Sequence, residues 1–462
     1  MRLFEELEAL EAMEQRYGLA HWKIDGCYIW KLLRWRAFTD HLIGKGVIPF
    51  PHPRLINEGR AKKSKNQKIF LKLNKIKSKI LHDFQKKRAR SIVAYSSGRL
   101  VSFNGKIIDR SCVRLASLEA KHVVFVENSS RLRPKPGAPE RVSPKAILDN
   151  CKNNKLKREP KLSASDRSLL AVLQKILSGT KIHEHRLLST LIGFQRRKIA
   201  FRVFLRERKI KQAFLVCGYN KEFFIEACRE LSISVSEIQH GVLGRGHTGY
   251  DFKEWEKVPY FPDRFLAFGR AWPDTCHFPT NVKIEVSGDP FLKEKREAGF
   301  AKFERNPSLL LVLSQATVSN LLREVVCEFL SVNSEYCVVW RSHPNEDPGE
   351  IKTFFQHSGF GHRVECDSET ALVEQACKSS VAIGVYTTAL LEAMYCGCKG
   401  CVVEHEGGFH EFYRGLIRER KAGLIGNGRE LMQVIKSLPA PDVEEYLVNR
   451  VISDEKYFGV HP

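Results

Sequence analysis

Short, almost continuously apolar runs recur along this chain, and the segments between them carry helical periodicity. In the last third the runs are LLLVLS (309–314), CVVWR (337–341), VAIGV (381–385) and CVVE (401–404). A strand that is apolar along its whole length needs both faces covered, which is the condition of a parallel sheet with helices on either side. The intervening stretches NLLREVVCEFL, GEIKTFFQHS, DSETALVEQACKSS and TTALLEAMYCG supply those helices. The same alternation stands upstream in SIVAYSS (91–97), HVVFVE (122–127), AFLVCGY (213–219), VSEIQ (235–239) and RFLAFG (264–269). Between the two series lies KEKREAGFAKFERNP, charged and without strand pattern. The alternation stops and restarts, and 462 residues are enough for two cores of ordinary size. The fold class expected is α/β with two Rossmann-like domains. They divide as 1–290, a linker over 291–306, 307–438, and a closing helix over 439–462 that packs back on the first domain. A short strand, a turn at Asp25-Gly26 and a helix through Phe38 open the first domain, while the Pro-, Lys- and Asn-rich stretch 133–166 reads as a long loop.

The formal net charge is +22, an excess that attracts anionic partners. Between Lys62 and Arg90 stand ten Lys and two Arg against one acid, Asp83. Ile69, Leu73, Ile76, Ile80 and Phe84 recur there at helical spacing. Residues 62–90 therefore read either as a basic amphipathic helix on an anionic membrane surface or as a solvated helix covering the core. No zinc-finger spacing, RNP-like aromatic pair or second basic helix marks a specific nucleic-acid partner. No apolar run nears the roughly 18 residues a membrane-spanning helix needs. The opening MRLFEELEALEAMEQRYG is acidic where a secretory leader is basic. A cytoplasmic protein is expected, with peripheral contact to the inner membrane face as the place for residues 62–90. Thirteen cysteines are too scattered for a disulfide framework, and the CxC of Cys396 and Cys398 lacks a second pair.

In an open parallel sheet, ligand-binding residues gather on loops at the strands' C-terminal ends. Arg341, His343 and Pro344 follow one such strand, where an imidazole can bond a phosphate and a proline stiffens the loop; Gln315 follows another. A simple strand end explains the His-Pro pair equally well. Thr387 or Thr388 starts a helix whose first amides suit a phosphate, and Glu392 one turn on could accept from ribose hydroxyls. An ordinary capped core helix is the plainer account of those three. The third segment, SEIQHGVLGRGHTGYDF, places Gln239, His240 and Gly241 at a strand end, before a glycine-rich loop with His247 and Tyr250. His240 is a candidate general base and a backbone-bonded loop histidine in nearly equal measure. The two histidines do not stand at metal-ligand spacing with any Cys or carboxylate, so no metal is expected.

EIQHGVLGRGHTGY (237–250), WRSHPNE (340–346) and GVYTTALLEAMYCG (384–397) together resemble the QHG loop, HP motif and hydroxyl-rich helix start of bacterial GT-B glycosyltransferases of surface-polysaccharide assembly, related to sialyl-, Kdo- and CDP-glycerol-type transferases. IDGCYIWKLLRWR and SIVAYSSGR are similar to their entry segments, so the likeness spans most of the chain. It implies a cleft between the domains and transfer from a nucleotide sugar, CMP- or CDP-linked, without metal or cofactor. His343, Thr387 and Thr388 would hold the donor phosphate. A polysaccharide or lipid-linked acceptor would lie toward Gln239, Gly241, His247 and Tyr250. Related alternatives are a polyol-phosphate transferase and a non-enzymatic glycan- or membrane-binding protein. Two departures stand out: the helix opens with Thr-Thr where Ser is commoner, and the acidic-acidic-glycine motif is only half present, at Asp25-Gly26. The base stays open between His240, Asp25 and an unidentified acid.

Overall fold

The computed structural model describes residues 2–47, 91–103, 106–116, 118, 122–127, 140–151, 156, 159–177, 180, 182–289, 291–292, 303–344, 346–447 and 457. Its first helix, Arg2–Arg16, buries Leu3, Leu7, Leu10 and Met13, which are three or four apart and share one face. β1 (Lys23–Ile24) and β2 (Cys27–Tyr28) form a hairpin whose turn residues Asp25 and Gly26 have φ of 48° and 74°. Two successive left-handed residues make a type I′ turn, for which Asp-Gly is a preferred pair. In the next helix, Ile29–Gly44, Arg34 and Trp30 both donate to Glu14 Oε1 at 2.5 Å. Arg34 also donates to the carbonyls of Thr248 at 2.6 Å and Asp251 at 2.8 Å, so the entry helices grip the glycine-rich loop from behind.

β3 (Ile92–Tyr95) precedes a separate antiparallel hairpin, β4 (Leu100–Phe103) and β5 (Lys106–Asp109). With β6 (Val123–Val126), β7 (Glu140–Val142), β8 (Gln212–Val216), β9 (Ser234–Ile238), β10 (Arg264–Ala267) and β11 (Lys283–Val286) it builds a seven-stranded sheet, ordered β11-β10-β9-β8-β3-β6-β7. Every pairing in it is parallel. A second all-parallel sheet contains β12 (Asn306–Leu313), β13 (Cys337–Arg341), β14 (Val364–Cys366), β15 (Ser379–Gly384), β16 (Lys399–Val403) and β17 (Gly423–Ile425), ordered β14-β13-β12-β15-β16-β17. Ala213 to Val216 in one sheet and Leu310 to Val312 in the other have no exposed surface, as strands covered on both faces require.

Each sheet has a point where successive strands begin to run the other way. In the first, strands after β3 go out to β6 and β7, whereas those after β8 go out to β9, β10 and β11. In the second the divergence lies between β12 and β15. A crevice opens at such a point because the two neighbouring crossovers leave on opposite faces.

Two expectations change. The stretch 133–166 is not loop throughout: Glu140–Val142 adds the edge strand β7, and Pro144–Asn150 forms a helix capped by Ser143 Oγ with Pro144 in its first turn. Pieces of three and seven residues are too short to show periodicity. Residues 439–447, expected to be helical, run as irregular chain with a single turn at 444–446. They do lie on the first domain, where Trp272 Nε1 donates to the Tyr446 carbonyl at 2.7 Å, and Tyr457 stacks on Phe214. The basic segment 62–90 and linker residues 293–302 lie outside the described residues. Among the described residues no helix is long and apolar enough to cross a membrane.

Candidate functional site

The two divergence points face one another. From the first sheet come the tips of β3 (Ser96–Arg99), β8 (Cys217–Tyr219) and β9 (Gln239–Gly241); from the second, those of β12 (Ser314, Gln315), β13 (Ser342–Pro344) and β15 (Val385–Thr388). The halves touch where the Val242 amide donates to Thr388 Oγ1 at 3.2 Å. A Cβ on Gly241 would stand 3.3 Å from that same oxygen, so glycine permits the approach.

On the first wall, Asp109 organises the β3 tip. Its Oδ2 accepts from Ser96 Oγ at 2.7 Å, Ser97 N at 2.8 Å and Gly98 N at 2.9 Å, which curls the turn and presents Arg99 to the cleft. Arg99 donates to the His240 carbonyl at 2.9 Å, and its charge depresses the pKa of both His240 and His343. It therefore lies close enough to both candidate histidines for its charge to act on each. Tyr219 sits on a sharp turn flanked by left-handed Cys217 (φ 61°) and Asn220 (φ 69°). Its hydroxyl meets His240 Nε2 at 3.2 Å, and Trp35 stacks on His247 and lies tilted against Tyr219, with centroids 4.9 and 4.8 Å away. Burial, then Arg99, His247 and Lys221, hold His240 well below the ordinary imidazole range. Burial likewise lowers His247 to about 4.

Behind His240 lies Glu237, which has no exposed surface. Its Oε1 accepts from the Gly218 amide at 2.8 Å and from the Tyr250 hydroxyl, and burial pushes its pKa up to about 7. Oε2 has no partner and lies against Gly218, where a Cβ would come within 2.3 Å.

On the second wall, Glu346 ties two strand tips together, taking the His343 amide at 2.6 Å and Ser314 Oγ at 2.8 Å. His343 and Pro344 are exposed on that loop. Partial desolvation still lowers the His343 pKa, with Glu346 opposing and Arg99 adding to the effect. Gln315, half-buried beside this loop, leaves Oε1 without a partner. Thr387 caps the helix Thr388–Tyr395, its Oγ1 accepting from Ala389 N at 3.3 Å, while Thr388 turns its hydroxyl to the opposite wall. Among the described residues no three His, Cys, Asp or Glu stand together as a metal set.

Several expected roles do not survive this geometry. Asp25 is the exposed tip of the β1–β2 hairpin, and among the described residues no contact joins it to His240; its Asp-Gly pair is turn chemistry. Gln239 is fully buried and internally satisfied, donating to the Gly241 carbonyl at 2.8 Å and accepting from Phe268 N at 2.7 Å. It clamps the loop and leaves no group for an acceptor. Tyr250, also fully buried, lies behind His240 rather than beside a ligand. Glu392 is buried and ion-paired with Arg110, which also bonds Asp289 at 2.7 Å, so it bridges the domains instead of meeting a ribose. Arg341 spends Nη1 on the Thr370 carbonyl at 2.6 Å and Gln375 Oε1 at 2.8 Å. Sequence reasoning passed over Trp35, Asp109, Arg110, Tyr219 and Glu237. Glu237 stands inside the QHG segment, and an acid in an otherwise buried strand was the signal for it.

Two Rossmann-like halves that turn their strand tips to a common cleft constitute the GT-B architecture. No known family pattern matches this chain, and no curated protein matches it. Solved structures do. UDP-GlcNAc 2-epimerase from Neisseria meningitidis, bound to UDP-GlcNAc, is 11% identical, with 75% of this chain and 92% of that one covered at a TM-score of 0.43. MurG of Acinetobacter baumannii is 12% identical over 75% and 90%, also at 0.43. The kitacinnamycin glycotransferase is 12% identical over 76% and 91%, at 0.44. These likenesses concern architecture; what each of those proteins acts on is its own.

Proposed function

We propose that this protein transfers a glycosyl group from a nucleotide sugar to an acceptor hydroxyl in the interdomain cleft. One observation carries the reading: the Val242–Thr388 contact lays the His240 loop against the start of the helix Thr388–Tyr395, so a candidate base and a candidate phosphate seat share one crevice. The donor phosphate would lie by Thr387, Thr388 and His343, where helix amides and the nearby Arg99 guanidinium oppose its growing charge. His240 would take the acceptor proton, with Trp35 and Tyr219 as an aromatic wall for a sugar face. No metal takes part. A CMP- or CDP-linked donor and a surface-polysaccharide or lipid-linked acceptor follow from the resemblance of the three motifs, with residues 62–90 holding the protein to an anionic membrane face.

Calorimetric titration with CMP, CDP, UDP and GDP, followed by turnover of the matching sugar nucleotides and of CDP-glycerol in chelator, tests this. One nucleotide is expected to bind, and His343→Ala to weaken it about tenfold, as loss of one hydrogen bond to a charged group implies. Turnover of CDP-glycerol alone would sink the sugar reading. If no nucleotide binds, the chain is not this enzyme.

A further inference from the structure

A neutral imidazole held as low as that of His240 is a weak base, yet its two nitrogens are wired in opposite directions. Tyr250 donates its hydroxyl proton to Glu237 Oε1, so toward His240 Nδ1, 3.4 Å away, the phenol oxygen can only accept. That assigns the proton to Nδ1 and leaves the lone pair on Nε2, where Tyr219 donates from 3.2 Å. Tyr219 is half-buried at the cleft surface, whereas Tyr250 and Glu237 are fully buried. The four side chains run from the cleft inward and end at a carboxyl group with one unpartnered oxygen. A purely structural carboxylate here would bear the cost of that orphan oxygen at every pH, whereas one that takes up a proton is relieved of its charge.

We propose that Tyr219, His240, Tyr250 and Glu237 form a proton relay in which the proton leaving the acceptor hydroxyl comes to rest on Glu237. The inference rests on the reading of His240 as the base and deepens it, since His240 draws off the acceptor proton through the Tyr219 hydroxyl instead of directly. The acceptor O–H breaks as its proton passes to Tyr219 Oη, and the Tyr219 proton forms an N–H bond at His240 Nε2. The Nδ1 proton passes to Tyr250 Oη, and the Tyr250 proton to Glu237 Oε1. The acceptor oxygen bonds the sugar carbon, and the broken glycosyl–phosphate bond leaves its electron pair on the nucleotide. No imidazolium persists, and the site loses one buried negative charge. Groups facing Glu237 are Lys221, Lys31, Tyr250, Tyr219 and Cys217; those facing His240 are Arg99, His247 and Lys221. Lys221 does not capture the carboxylate, since its Nζ bonds the carbonyls of Val216 and, at 3.4 Å, Ser96.

Two measurements test the relay in the full chain. Infrared difference spectra of the unliganded protein between pH 5 and pH 9 should show a protonated carboxyl stretch titrating near neutrality in the wild type and absent from Glu237→Gln. With the sugar nucleotide that turns over in the donor panel, Glu237→Gln and Tyr250→Phe should each lower kcat about 100-fold, within the range for general-base loss. Nucleotide affinity should stay unchanged, and the rise of kcat through neutral pH should vanish. A wild-type spectrum without that band, or a folded Glu237→Gln with wild-type kcat and pH profile, overturns the relay. His240→Ala with undiminished transfer would instead remove the base assignment on which it rests.

Discussion

Glu237 illustrates how one buried acid makes stability depend on pH. Its pKa is raised on folding to about 7, so between the ordinary carboxylate value and 7 the folded chain keeps a proton that the unfolded chain gives up. Stability from this group is complete below that window and declines as pH rises through it. At about 1.4 kcal/mol per unit the loss is about 3.5 kcal/mol in all, of which about 2.5 kcal/mol falls between pH 5 and pH 8. In Glu237→Gln that slope should be missing. Urea unfolding at pH 5 and pH 8 checks it: the difference in unfolding free energy between the two pH values should shrink by about that amount. Comparing one variant with itself at two pH values cancels the constant cost of its new amide. An unchanged difference would mean that the carboxyl is ionised throughout. Residue identity alone pointed to His240 and His343 but gave Glu237 no role, because the Tyr250 hydroxyl and the Gly218 backbone that meet its carboxyl come from positions 13 and 19 residues away.

Strands announce themselves in this chain and loops do not. LLLVLS, CVVWR and VAIGV are legible as parallel strands because covering both faces forces continuous apolarity. Their tips then locate a cleft, since sheet topology and not side-chain chemistry puts the crevice there. What a loop side chain bonds is settled by distant segments. Gln239 and Tyr250 look like ligand contacts in sequence and prove to be internal struts. The glycine-rich loop is held by the entry helices, through Arg34 to Thr248 and Asp251 and through Arg245 to Glu11 at 3.0 Å. Glu14 holds Arg34 in place, and both are almost wholly buried. Glu14→Ala leaves a buried guanidinium without its carboxylate, a change that costs about 3–5 kcal/mol. Hydrogen exchange should then show faster opening of 244–251 as well as a lower midpoint of thermal unfolding. Loss of stability with unchanged exchange in that loop would show that the helices do not hold it.

At the scale of the whole molecule, Arg110 of the first half is ion-paired with Glu392 of the second. Burial alone would lower its pKa, yet Glu392 of the second half and Asp289 of the first together raise it above the usual guanidinium range. Glu392 lies one turn into the helix whose start is the proposed phosphate seat, so Arg110 fixes that seat relative to the His240 wall. Arg110→Met keeps the bulk over Phe291 but removes the charge from between two carboxylates. Glu392 and Asp289 would then repel each other, and the raised pKa that burial already imposes on Glu392 would rise further. Opening the cleft relieves this by letting water reach both acids. Small-angle scattering should therefore show a larger radius of gyration for Arg110→Met at pH 8 than at acid pH, where protonation of Glu392 relieves the repulsion, while the wild type keeps one value at both. Glycosyl transfer should fall at least tenfold at pH 8, because both walls must meet around one substrate, and nucleotide binding, whose proposed contacts come from the second half except for Arg99, should fall less. Equal scattering at the two pH values, with transfer and binding lost in step, would mean that Arg110 serves the folding of its own domain and not the joining of the two.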